Sequence, residues 1–276
     1  IVKTPQFDTV GWVHNDSGDR PRLFAMDSTG TMHLAPWRAD RYVAGAAAVD
    51  TSGRPAWPGL ALDNAAHIDY EDMAVEDSVL YVGDTGNNGN ARRDLGVYVI
   101  PEPFYHARRT RPMEYLRIRY PDQTTYPAEQ WHYDAEALFV DDGTLYLLTK
   151  RRKGQQIGEL EPGTTLYRLD TQYPHRVNTL TIVDRHPTIA PPTAAALSPS
   201  GDRLAVLSTT GVWIFPRPES GDRWLSTDPR AISLPERRLK QAEAITWDDA
   251  RTLRITNENR DVFVLPLAAG RSANTE

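Results

Sequence analysis

Two short stretches concentrate the reactive side chains of this chain. His67-Ile68-Asp69-Tyr70-Glu71 returns as His132-Tyr133-Asp134-Ala135-Glu136, and both end in Asp-x-Glu. That spacing puts two carboxylates on one face of an extended strand. Carboxylates so placed can act as general acid and base or hold a hard cation; the plain alternative is that they satisfy loop N–H groups or pair with arginine. A third copy of the glutamate comes in Glu243-Ala244-Ile245, which aligns with Glu136-Ala137-Leu138, whereas Ala195-Ala196-Leu197 aligns with Ala195 in the glutamate position. Glu71, Glu136 and Glu243 are therefore the candidate catalytic residues.

Both copies continue with an apolar run, a turn, a β-rich run and a polar loop: Asp84-Thr85-Gly86-Asn87-Asn88 in the first and Lys150-Arg151-Arg152 in the second. Self-similarity of this kind signals a repeat architecture. Strands are predicted at 69–75, 79–83, 96–100 and 113–120, then at 134–140, 144–149, 165–170 and 178–183, and again at 195–198, 203–208, 212–216 and 231–234. The last unit shows only 243–247, 252–256 and 262–265; the first shows 11–16, 23–27 and 32–37, with an outer strand somewhere in 38–66 and an inner one at Ile1 to Thr4. With 21 Pro, 18 Gly, 12 Tyr and 7 Trp, many short strands broken by turns fit better than helices. The expectation is an all-β chain: one β-propeller domain over 1–276, made of four-stranded antiparallel blades. Five blades are expected, with six as the alternative if 38–66 hides a degenerate one.

In such a disc the start of each blade's first strand and the end of its second reach the same rim. Asp69, Glu71, Asp134, Glu136 and Glu243 should arrive there from strand starts, and Asn15, Asp16, Asp84, Asn87, Lys150, Arg151, Arg152 and Asn257 from turns. Crowded carboxylates repel unless a cation sits among them, and Ca²⁺ takes six to eight oxygen ligands. Asn15, Asp16, Glu71, Asp84, Asn87, Glu136, Glu243 and Asn257 are the candidate metal ligands, although asparagine is also ordinary turn chemistry. Asp69, Asp134, Lys150, Arg151 and Arg152 are the candidate ligand-binding residues, although a basic run is also ordinary solvated surface. His67 and His132 are expected to pack in loops rather than bind metal.

Lys and Arg number 31 against 37 Asp and Glu, a net charge of −6; this argues against nonspecific binding to nucleic acid or an anionic membrane. The absence of cysteine removes disulfides and thiolate chemistry. No apolar stretch is long enough for a membrane helix. A start at Ile1 suggests a processed chain, hence a secreted or periplasmic location.

Trp12-Val13-His14-Asn15-Asp16-Ser17-Gly18 with Leu23 to Asp27, Asp69-Tyr70-Glu71-Asp72 with Leu80 to Asp84, and Asp134-Ala135-Glu136-Ala137-Leu138 resemble bacterial propellers of the SMP-30/gluconolactonase, phytase-like and SdiA-regulated groups. The resemblance implies a Ca²⁺ site in the central funnel, drawn from Glu71, Glu136, Glu243 and the Asn15, Asn87 or Asn257 loops. The functions to be weighed are a metal-dependent hydrolase of a lactone, ester or phosphoester; a glycoside hydrolase with paired carboxylates and stacking surfaces at Trp12, Trp131 and Tyr133; and a non-catalytic propeller that binds a small-molecule, carbohydrate or protein partner.

Overall fold

A computed structural model describes residues 1–44, 53–234 and 236–267. They form five small sheets set radially as the blades of a β-propeller, with the strands within each blade antiparallel. Blade 1 consists of β1 (Val2–Lys3), β2 (Gly11–Val13), β3 (Arg22–Met26) and β4 (Leu60–Leu62). Blade 2 contains β5 (Tyr70–Glu76), β6 (Val79–Asp84), β7 (Gly96–Pro101) and, after β8 (Arg109–Thr110) in the connection, β9 (Glu114–Arg119). Blade 3 contains β10 (Asp134–Asp141) and β11 (Thr144–Arg152), the short β12 (Leu160–Glu161), then β13 (Thr164–Leu169), β14 (Asn178–Thr179) in the connection, and β15 (Thr181–His186). Blade 4 is β16 (Pro192–Leu197), β17 (Arg203–Ser208), β18 (Gly211–Pro216) and β19 (Arg230–Ser233). Blade 5 has three strands among the described residues: β20 (Ala242–Asp249), β21 (Thr252–Asn257) and β22 (Val262–Pro266).

Blades 2, 3 and 4 are each sandwiched between apolar joints, so both faces of their strands are apolar. Along β10, Leu138 and Val140 join the core shared with blade 2, while Ala137 and Phe139 join the core shared with blade 4. This is why the strand reads as a continuous apolar run. Apolar clusters fill the spaces between blades 1 and 2, 2 and 3, 3 and 4, and 4 and 5. The joint between blades 5 and 1 is polar instead. There Lys3 N donates to Thr246 Oγ1 at 3.0 Å, Lys3 Nζ donates to Asp248 O, and Arg254 pairs with Asp248 at 2.7 Å around a cavity of about 150 Å³.

The hairpin turns follow from local chemistry. Asp77-Ser78 and Asp142-Gly143 hold positive φ at both central positions, at 47° and 63° and at 50° and 70°, which matches the twist of the strands they join. In blades 2, 3 and 4 the connection between third and fourth strands does a second job, in that it lies against the preceding blade. β8 adds to β4 of blade 1, β14 adds to β9 of blade 2, and Trp224, in the connection of blade 4, inserts edge-on against Phe139 of blade 3 at 6.2 Å.

The structure departs from the sequence reading at 32–37 and bears it out at 38–66. Residues 32–37 are not a strand: Met32 bridges Met26, and Pro36–Arg38 is a 3-10 turn, since proline offers no N–H to a ladder. The 38–66 excursion supplies the outer strand β4 and no sixth blade among the described residues; its positions 45–52 lie outside them. No helix among the described residues is long and apolar enough to cross a membrane.

Candidate functional site at the acidic mouth

The inner strands of blades 2 to 5 share one irregularity near their start. Opposite β6, β11, β17 and β21 the register skips at residues 71–72, 136, 193 and 243. A β-bulge leaves its extra residue outside the ladder and re-aims the side chain. Glu71, Glu136 and Glu243 are bulge residues. The equivalent in blade 4 is Thr193, whose Oγ1 donates to Ala242 O at 2.8 Å. The alignment on Ala195 is thus two residues out of step, because Ala195 is paired in the ladder with Val206.

The bulges bring carboxylates from separate blades together. Oxygens of Asp16, Asp69 and Glu71 lie within 4.8 Å of one another, as do those of Glu71, Asp134 and Glu136. Gly86 passes so close that a Cβ there would stand 2.1 Å from Glu71 Oε1 and 2.4 Å from Asp69 Oδ2. Basic groups meet only part of the set: Lys150 Nζ is 2.7 Å from Glu136 and Arg152 is 2.7 Å from Asp134. Asn88 donates to Asp69 at 3.3 Å. The Glu71 carboxyl meets no donor among the described residues.

Electrostatics follow from that arrangement. Burial, then Glu136, Asp134, Asp69 and Asp16, push Glu71 well above the ordinary carboxylate range. Burial and Asp134 raise Glu136 against the opposing pull of Lys150, and burial with Asp134 and Asp16 raises Asp69. Glu243 is pushed up to about 7 by burial, with Glu258 and Asp16 adding to it and Lys150 opposing. Lys150 bears a cost of burial that Glu136 outweighs, so its pKa rises. These are hard oxygen donors with too few cations, a set suited to Ca²⁺ or Mg²⁺ rather than to a softer metal.

No protein family and no curated protein matches the chain. Solved structures to which it is similar include Chaetomium thermophilum Sqt1, at 14% identity over 72% of this chain and 44% of that one, with a TM-score of 0.33. Others are a luciferin-regenerating enzyme, at 10% identity over 95% and 77% with a TM-score of 0.37, and a chain of the mitotic checkpoint complex, at 9% over 94% and 74% with a TM-score of 0.41. The chain spans under half of the Sqt1 chain. Nothing about the mouth follows from these matches.

Several residues expected as metal ligands are held in hydrogen bonds or ion pairs of their own. Asn15 donates to Asp19 Oδ2 at 2.6 Å. Asp84 is tied to Arg92 at 2.9 Å and accepts from Asp69 N at 3.0 Å. Asn87 is fully engaged, its N–H on Asp134, its amide on Tyr133 O and its Oδ1 accepting from Arg92 N. Asn257 closes a turn with Asp261 and donates to Leu239 O. Asp84 belongs to neither carboxylate set. Of the basic run, Lys150 and Arg152 point inward while Arg151 turns away to Thr165 Oγ1 at 3.1 Å. His67 stacks on Tyr70 at 4.0 Å, and His132 bonds Glu161 at 2.6 Å.

Two residues at the centre were not singled out from the sequence. Gly86 matters for the atom it lacks. Asp72 is buried, and its carboxylate accepts from Met73 N at 2.9 Å, Leu138 N at 2.9 Å and Ala195 N at 3.0 Å, joining the inner strands of three blades. Its signal was a third acid directly after Asp-x-Glu, a position that would face the opposite side in a regular strand.

Proposed function

We propose that the chain is a ligand-binding propeller whose acidic mouth holds a hard divalent cation, Ca²⁺ by its donor set. One observation carries this: Glu71 is hemmed in by four other carboxylates and has no donor among the described residues. Such a group either keeps a proton or shares a cation, and at neutral pH the cation relieves more of the crowding. Asp16, Asp69, Glu71, Asp134 and Glu136 are the ligands. A carboxylate, phosphate or hydroxyl of a small molecule would complete the coordination, with Lys150 and Arg152 behind the acidic wall.

The test is thermal melting of chelator-treated protein titrated with CaCl₂. A saturable rise is expected, on the order of 3 kcal/mol at a hundredfold excess over Kd. Glu71→Gln and Gly86→Ala should both suppress it, the second by forcing a methyl into the cradle. Identical melting in chelator and in millimolar CaCl₂ would sink the reading.

A second reading, metal-dependent hydrolysis of a lactone, ester or phosphoester, draws on Glu243, whose pKa near 7 suits a general base at neutral pH. The glycosidase reading keeps the raised carboxyls of Glu71 and Glu136 but loses one of its expected stacking surfaces. Trp12 is fully buried and donates to Glu102 Oε1 at 2.9 Å, so it offers a sugar no stacking surface.

A further inference from the structure

A second concavity lies on the outer part of blade 1. Its volume is about 450 Å³, and its walls include Arg20, Arg22, Arg108, Arg109, Tyr42 and Trp57. That volume is within the range of small-molecule sites, which run from about 300 to 1,000 Å³. The chain as a whole is acidic, yet among the described residues no acidic side chain lines this cleft.

The charge there is only partly matched. Arg22 is held by Asp19 at 2.6 Å and donates to Pro58 O at 3.0 Å, and Arg109 pairs with Asp63 at 2.9 Å. The guanidinium groups of Arg20 and Arg108 have no carboxylate partner among the described residues. A fifth arginine, Arg38, lies 4.6 Å over the Trp57 ring, and its Nη1 is buried with no acceptor among the described residues. Burial and the nearby Arg108 charge lower the pKa of Arg38, an electrostatic cost that an anion would remove. Tyr42 meets Trp57 edge to face at 5.3 Å, so the same walls that carry positive charge also present aromatic surface.

Guanidinium forks match phosphate oxygens in pairs, and aromatic walls accept a planar ring. We propose that this cleft binds a small phosphate ester bearing a planar ring, of the mononucleotide class, with Arg20 and Arg108 on the phosphate and Tyr42 and Trp57 against the ring. The site is separate from the acidic mouth and needs no cation.

Isothermal titration with adenosine monophosphate, glycerol phosphate and adenosine, in chelator, tests both halves. The monophosphate should bind saturably, glycerol phosphate more weakly, and adenosine least. The double variant Arg20→Ala/Arg108→Ala should weaken the monophosphate by about tenfold or more, equal to about 1.4 kcal/mol. Both side chains are exposed, so its urea midpoint should stay with the parent's. Trp57→Leu should erase the advantage of the monophosphate over glycerol phosphate. No saturable binding of either phosphate at millimolar concentration, or binding indifferent to the arginine pair, overturns the proposal. Equal binding of the two phosphates by the parent overturns the aromatic half.

Discussion

Single carboxyls set the pH behaviour of this protein. Glu243 is raised to about 7 and Asp72 to about 6, in both cases by burial first. In the unfolded chain the same groups titrate near about 4.3 and 3.9. Between those limits the folded state binds more protons than the unfolded one, so these two groups make stability fall as pH rises, and their own contribution levels off above about 7. Urea unfolding in chelator should therefore show a loss on the order of 1–3 kcal/mol from about pH 5 to about pH 7.5. Glu243→Gln should flatten the upper part of that slope, and CaCl₂ should restore stability at the higher pH. A profile that rises over this interval would mean that these carboxyls ionise without penalty.

Among the elements, the connections between third and fourth strands are structural parts rather than spare loop. Trp224 belongs to blade 4 by sequence and is fully buried in the core shared by blades 3 and 4, against Phe139 of blade 3. Trp224→Ala should cost about 3–5 kcal/mol in urea unfolding; a cost below about 1 kcal/mol would make the connection an idle strap. The strands themselves were legible because their period and their turns are local properties: β6, β11 and β17 begin and end within a residue or three of where alternation and Asp, Ser and Gly turns put them. The Asp-x-Glu repeat likewise foretold that Asp69, Glu71, Asp134 and Glu136 meet at one mouth. What stayed hidden depends on contacts between blades. Nothing local in Asn87 says that Asp134, Tyr133 and Arg92 will occupy all its hydrogen-bonding groups. The Thr193 bulge was masked by the Ala-rich text after it, which imitates the other copies two positions too late.

The whole ring is unevenly sealed. Four of its joints are apolar, and the one between blades 5 and 1 relies on Lys3, Thr246, Asp248 and Arg254 around a small cavity. Polar contacts of this kind contribute less than buried apolar area, so opening should start there. Native-state hydrogen exchange should show amides of β1, β20 and β22 exchanging at lower opening free energy than those of β10, β11 and β17; uniform protection around the ring would contradict it. The bulges bear on how such a molecule can change over generations. Positions 71, 136, 193 and 243 take no rung in the ladders beside them, so point substitution there alters the chemistry offered to a ligand while the scaffold's pairing is conserved. Blade 4 carries threonine at this place and uses it in a bond to blade 5, which leaves 71, 136 and 243 as the positions to vary in order to give the same body a new specificity.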